Sequence, residues 1–283
     1  MIRRLLQDGH GVRALVRRRP DESAEQLQGF HGKGDFQYVG GDVVSGTGLD
    51  EAMQGCEAVI HLVGIIMEKG SNTFEAVHHL GTRNAVQAAR RNGIQRFVHM
   101  SALGARPDGV AAYQTTKWRG EEEVRQSGIA FCILRPSLIF GPGDGFVTQM
   151  MDVMKKAPLF RPVPGDGLPK FRPILVDDVT CCFSKALMEP AATNQTIELG
   201  GADELTLNEV LLEIARCAGV SKPAVHVPLS LMFVAAALAS FLPNPPVTAD
   251  QLRMLREGST CDIAAMKRVF AVEPKGFRGC GRL

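Results

Sequence analysis

The chain alternates between two hydrophobic spacings. Ile2, Leu5 and Leu6 fall at helical intervals and Gly9 stops them, while Val12 to Val16 alternate as a strand running into Arg17, Arg18 and Arg19. "FQYVGGDV" then reads as a strand, "TGLDEAMQGC" as a short helix and "EAVIHLVG" as a strongly apolar strand. The pattern continues with a helix from Phe74 to about Asn92, the strand "RFVHMSA", a helix through "YQTTKWRGEEEVRQSG" and the strand "AFCILRPS". Helices and buried strands in strict turn predict a parallel sheet with both faces covered, a doubly wound α/β fold. Ligands of such folds collect at the carboxyl ends of the strands, here the loops in "GGDV", "HLVG" and "MSALGA".

After "ILRPSLIFGPGDGF" the texture changes. A helix from Phe146 to Lys156 carries Met150, Met151 and Met154, and the Pro/Gly stretch "PLFRPVPGDGLPKFRP" follows it. "ILVDDVTCCFSKAL" supplies a strand and a helix with Asp177 and Asp178 near its start, and "TIELGG" a further strand. In "LTLNEVLLEIARCAG", Thr206 and Glu209 have capping-box spacing. The expected division is a nucleotide-binding domain over 1–143, completed by 171–200, and a smaller substrate or partner domain over 144–170 and 201–283. The apolar run from Leu229 to Leu242 falls short of the ~20 residues a membrane-spanning helix needs. It predicts a helix that is buried or packs on a partner or a membrane surface, and its small residues permit close helix approach.

Composition narrows the class. The chain has 283 residues, 45% hydrophobic and 22% charged, with a formal net charge of +2, so charge gives no reason to expect nucleic acid as a partner. The seven cysteines show no CxxC spacing and mostly sit in apolar runs, as small core residues of a reducing compartment would. Met1 is not followed by a secretory signal pattern. A cytoplasmic location is expected, peripheral at a membrane if the apolar helix docks there.

Chemistry concentrates in "HMSALGARPDGVAAYQTTKW". Tyr113 and Lys117 are four apart on a predicted helix and so share a face. An ammonium beside a phenol lowers its pKa from ~10 and turns a poor base into a useful acid/base. Ser101, at the end of the preceding strand, is placed to hold a substrate oxygen. No histidine falls in a metal-ligand pattern, and no metal is assigned.

The Ser101, Tyr113 and Lys117 set, followed by "LRPSLIFGPGD" and "PILVDDV", resembles the short-chain dehydrogenase/reductase superfamily in its extended, epimerase/dehydratase branch. "MSALGA", "KWRGEEEVRQSGI" and "CDIAAMKRVFAVEP" look most like proteins related to the NAD(P)-binding accessory subunit of respiratory complex I. The resemblance implies a Rossmann-like fold and two functions. One is an oxidoreductase or epimerase moving hydride through bound NAD(P), with Ser101, Tyr113 and Lys117 catalytic. The other is a cofactor-holding structural or assembly protein of a respiratory-chain complex, with a membrane-associated partner.

By the same resemblance, Arg17 and Arg18 stand where an acidic residue would select NAD, and they favour the 2′-phosphate of NADP, with NAD as the alternative. Asp42 and Val43 match the adenine loop, and Leu62, Val63 and Gly64 the loop flanking the adenosine ribose. Lys117 is placed to reach a cofactor ribose, and Pro136 and Ser137 are expected to approach the nicotinamide. Met150, Met151 and Met154 suit an apolar or quinone-like small molecule, or else simply fill the core. A sugar nucleotide would want more basic residues than the nearby Arg161, Lys170 and Arg172. In this family a strand and a Gly-rich turn precede the first helix, so on the order of 10–15 further residues are expected upstream of Met1.

Overall fold

The computed structural model describes residues 1–17, 35–157, 159–239, 241, 245 and 247–278. Arg18 lies outside them. The chain forms two compact units. The first comprises Met1–Ser101, Thr116–Leu134 and Thr180–Ile197, the second Ala102–Thr115, Arg135–Val179 and Glu198–Leu283.

In chain order the elements begin with α1 (Ile2–Gln7), β1 (Val12–Val16), β2 (Phe36–Gly40), α2 (Leu49–Met53) and β3 (Ala58–His61). A π-helical turn, Glu75–Leu80, runs directly into α3 (Gly81–Arg91), followed by β4 (Arg96–Met100), α4 (Ala112–Arg125) and β5 (Ala130–Pro136). Next come β6 (Ile139–Phe140), α5 (Phe146–Lys156), β7 (Arg161–Pro164), β8 (Lys170–Phe171), β9 (Ile174–Leu175) and α6 (Val176–Ala186). The chain continues through β10 (Gln195–Leu199), β11 (Leu205–Thr206), α7 (Leu207–Cys217), β12 (Ala224–Val227), α8 (Leu229–Ala239), α9 (Ala249–Glu257) and α10 (Ala264–Phe270).

The strands order as β10-β5-β4-β3, with β3, β4 and β5 parallel: Ala58 lies opposite Arg96, and Arg96 opposite Ala130. β4 is buried on both faces because α-helical crossovers cover the sheet. β1 and β2 form a separate parallel ladder with Val12 opposite Phe36, so β1 and β3 do not pair among the described residues. The core of this unit gathers Phe97 and Ile133 from the sheet, Ala85, Val86 and Ala89 from α3, and Val124 from α4. Arg96 is buried at the start of β4, yet its guanidinium is satisfied by the Ala186 carbonyl at 2.7 Å and by Thr193 Oγ1 at 2.7 Å.

The second unit has its own core, in which Phe140 meets Phe277 edge-on at 4.9 Å between centroids and Met154, Val163, Val210 and Ile214 pack around them. Met154 thus fills the core, with Met150 and Met151 against it. α7 starts with the expected capping box: Glu209 N–H donates to Thr206 Oγ1 at 3.3 Å, and Thr206 N–H to Glu209 Oε2 at 2.8 Å. α8 is nearly bare. Ala236 is its buried residue, while Leu231, Val234 and Leu238 are 60%, 57% and 71% exposed.

Candidate functional site

The carboxyl end of β4 gathers several of the candidate residues of the first unit. Ser101 is buried there, its N–H donating to Leu134 O at 2.8 Å, and its hydroxyl has no hydrogen-bond partner among the described residues. Lys117 reaches this point from α4 and donates through Nζ to the Met100 carbonyl at 3.0 Å. With 2% exposure the ammonium has lost its water, and burial lowers its pKa to about 8 against a partial rise from Glu121. The loop after β3 accommodates it. A Cβ at Gly64 would stand 2.9 Å from Lys117 Nζ and 3.6 Å from His78 Nε2. Lys117 and Gly64 therefore meet at the end of β4, where Ser101 directly follows Met100 in the chain.

His78 holds that loop. It projects from the π-helical turn, its Nδ1 at 3.1 Å from Thr116 Oγ1 and its Nε2 at 3.0 Å from both the N and O of Ile65. Burial, and then the nearby Lys117, push its pKa down to about 3. His61 behaves the same way, falling to about 3, and stacks on His99 at 5.4 Å between ring centroids. Widened turns of this kind recur at functional sites. The close passage of the π-helical turn and α4 is permitted by glycine, since a Cβ at Gly120 would overlap His78 O.

Tyr113 lies in the first turn of α4, one turn before Lys117. Its neighbours are pinned to α9 inside the second unit: Ala112 N–H donates to Asp250 Oδ2 at 3.0 Å, and Gln114 Nε2 to Glu257 Oε2 at 2.6 Å. Arg106, earlier in the same loop, pairs with Glu257 at 2.6 Å. Burial pushes the Tyr113 phenol up to about 12. The shift runs opposite to the lowering that the Tyr113–Lys117 spacing suggests on its own, because burial disfavours the phenolate. At neutral pH the group is a phenol, able to donate a proton.

The other expected contacts are more dispersed. Asp42 spends its carboxylate on its own turn, accepting from Val44 N–H at 2.7 Å, and Val43 is buried with its carbonyl held by Asn84 at 2.9 Å. Leu62 is half-buried, whereas Val63 and Gly64 are exposed after β3. Arg17 is exposed and donates to Asn72 Oδ1 at 3.2 Å. In the second unit Pro136 is buried and Ser137 is fully engaged, its N–H on Leu199 O at 2.8 Å and its hydroxyl on Ser259 O at 2.9 Å. The residues that sequence reasoning missed are His78, Thr116, Asp250 and Glu257. For His78 a signal existed: glycines at 81 and 120 inside helices mark a close backbone approach.

Comparison with known proteins places this geometry. A 33% identical stretch of 159 residues, 56% of this chain, is shared with the ceramide reductase of Caulobacter vibrioides. A 32% identical stretch of 164 residues, 57% of this chain, is shared with the mitochondrial NADH dehydrogenase [ubiquinone] 1 alpha subcomplex subunit 9 of Arabidopsis thaliana. These matches cover 48% and 40% of the two relatives' own lengths. The UDP-glucuronic acid 4-epimerase of Bacillus cereus, solved with UDP-glucuronic acid and NAD, superposes with a TM-score of 0.72 at 16% identity, covering 99% of this chain and 92% of that one. That likeness establishes the shared Rossmann-type fold. The described residues contain no helix long and apolar enough to cross a membrane. Residues 1–154 match the family model described as NAD(P)H-binding, and with the parallel sheet and the polar cluster at the end of β4, this chain belongs to the NAD(P)H-binding family.

Proposed function

We propose that this protein is an oxidoreductase that moves hydride between NADP(H) and an apolar carbonyl or alcohol. The observation that carries the reading is the Lys117 ammonium, buried on the Met100 carbonyl next to the unpartnered Ser101 hydroxyl, in the helix that also bears Tyr113. An orphaned buried hydroxyl is costly unless a ligand oxygen meets it, so Ser101 fits a substrate oxygen. When bound, a reduced nicotinamide supplies the hydride. Tyr113, a phenol at neutral pH, donates its proton to the substrate oxygen as charge develops there, and Ser101 holds that oxygen in place. Lys117 supplies the positive charge that eases formation of the tyrosinate.

The cofactor's remaining contacts follow the placement of the loops. Val63 and Gly64 offer exposed backbone to the adenosine ribose, and Asp42 and Val43 form a rigid turn for the adenine. Arg17 meets a 2′-phosphate with a charge-assisted bond, which favours NADP over NAD. Pro136 and Ser137 offer a surface to the nicotinamide, since the Ser137 donors are already engaged. Similarity to a ceramide reductase supports a lipid-like or quinone-like substrate. The test is Tyr113→Phe, which removes the proton carrier and keeps the ring: turnover should fall ~10²-fold or more with cofactor affinity nearly unchanged. Equal turnover in both proteins would overturn the assignment.

A second reading rests on α8. Its uncovered Leu231, Val234 and Leu238, with the similarity to the Arabidopsis NADH dehydrogenase subunit, support a non-catalytic cofactor-binding protein docked on a membrane-associated partner. Cofactor binding without turnover on any carbonyl substrate, together with loss of co-migration in native gels on Leu231→Glu and Leu238→Glu, would favour it.

A further inference from the structure

We propose that the second unit carries a phosphate-binding cavity anchored by Arg161, built from residues that have no role in the cofactor and substrate contacts above. β7 opens with Arg161, whose N–H donates to Pro223 O at 2.8 Å while Arg161 lies opposite Ala224 in the β7–β12 ladder. The start of β7 and the chain entering β12 therefore run side by side. Beside them is a cavity of 790 Å³ walled by Arg161, Leu212, Arg216, Ser221 and Lys222 among others.

Arg161 is the unusual member. It is 8% exposed, and both its Nε and its Nη1 are buried without a hydrogen-bond partner among the described residues. Arg96, 9% exposed, shows what this fold does with a buried structural arginine: its guanidinium is satisfied by the carbonyl of Ala186 and the hydroxyl of Thr193. No acceptor serves Arg161 Nε or Nη1 among the described residues, and burial lowers the pKa of the guanidinium. A buried cation left in this state is costly, and an anion drawn in beside the Arg161 guanidinium removes the cost.

The walls suit phosphate. Lys222 donates through Nζ to the Met154 and Lys155 carbonyls at 3.0 and 3.3 Å, and also to that of Ala157, so it neutralises the carboxyl end of α5 and keeps a positive charge at the wall. Arg216 stands at the mouth in the last turn of α7, loosely held by Glu213 at 3.2 Å. None of the cavity's lining residues is a carboxylate. A guanidinium fork matches phosphate oxygens bidentately, with more acceptors than a lone carboxylate offers. Apolar side chains contribute as well: Leu212 lines the cavity and is 39% exposed, and Leu159 and Phe160, which precede Arg161 in the chain, are 77% and 38% exposed. The ligand is thus a phosphate group, supplied either as a lipid headgroup or as free phosphate.

The experiment uses the full chain. Thermal unfolding is followed with inorganic phosphate against chloride at matched ionic strength, and flotation with phosphatidylcholine vesicles with and without phosphatidic acid. Phosphate should raise the unfolding temperature, and Arg161→Leu should weaken its binding by ~10-fold or more while NADP(H) affinity stays at the wild-type value. Phosphatidic acid capture that depends on Arg161 assigns a lipid headgroup; a phosphate response that depends on Arg161, without vesicle capture, assigns the free anion. Absence of any Arg161-dependent response in both arms overturns the site. Should Arg161→Leu not fold, Arg216→Ala at the exposed mouth decides: weaker phosphate binding supports the site, and unchanged binding overturns it.

Discussion

Lys117 donates to the Met100 carbonyl at 3.0 Å, and this bond seats a desolvated ammonium at the end of the central strand. Its pKa of about 8 lies below the 10.5 of a free lysine, so between those values the unfolded chain binds more protons than the native one and stability rises with pH. From about pH 9 upward the thiols of Cys132 and Cys261, raised to about 12 by burial, act in the other direction. The clean window is therefore pH 8 to 9. Urea unfolding there should show the wild type gaining about 1 kcal/mol relative to Lys117→Met. Parallel curves for the two proteins would show that Lys117 is hydrated.

The histidines give the acid counterpart. His61 and His78 fall to about 3 and His99 well below its ordinary 6.5, all chiefly through burial. Below about pH 6.5 the unfolded chain takes up protons that the native chain refuses, so the stability these groups contribute is lost progressively toward pH 3. His99 contributes this sensitivity without contributing a bond, because neither of its ring nitrogens has a hydrogen-bond partner among the described residues. His99→Leu should leave stability at pH 7 within about 1 kcal/mol and make the acid loss shallower. A loss above about 2 kcal/mol at pH 7 would show that the ring makes bonds the fold depends on.

What could be read from the sequence was what is local. The Thr206–Glu209 capping box, the strand over Val12–Val16 and the helix over Phe146–Lys156 are set by neighbours a few residues away, and each formed as its pattern predicts. Ser101, Tyr113 and Lys117 could be named as candidates because their residue types and spacing follow the chain. The direction of the Tyr113 shift could not be, since it depends on how much water the fold excludes. Nor could the anchoring of the residues on either side of Tyr113, whose partners Asp250 and Glu257 lie 138 and 143 residues away from Ala112 and Gln114. His78 falls between the cases: the helix was legible, but its π-helical start, which aims the ring at Ile65, was not.

Arg17 should decide the cofactor. It is exposed at the end of β1 and engaged only with the neutral side chain of Asn72 at 3.2 Å among its described contacts, so its charge is available to a 2′-phosphate. Calorimetric titration should show tighter binding of NADP(H) than NAD(H), and Arg17→Ala should reduce the difference by ~10-fold or more. Tighter NAD(H) binding in the wild type would reverse the assignment.

Gly64 is the most specific probe of the Lys117 seat. The residue does not adopt a positive φ, so its backbone tolerates a side chain; what forbids one is space, because a Cβ would lie 2.9 Å from Lys117 Nζ and 3.6 Å from His78 Nε2. The lysine tip is the movable party, and moving it breaks the bond to Met100 O. Gly64→Ala should therefore fold with a stability loss of no more than about 2 kcal/mol, yet lower turnover and cofactor affinity by ~10-fold or more. It should also flatten the rise in stability between pH 8 and 9, because a displaced ammonium regains water. Since the substitution acts through the lysine, it should add little once Lys117→Met is already present, and a double-mutant cycle measures this directly. Full additivity of the two losses would show that Gly64 contacts the cofactor independently and that the close passage of the ammonium is incidental.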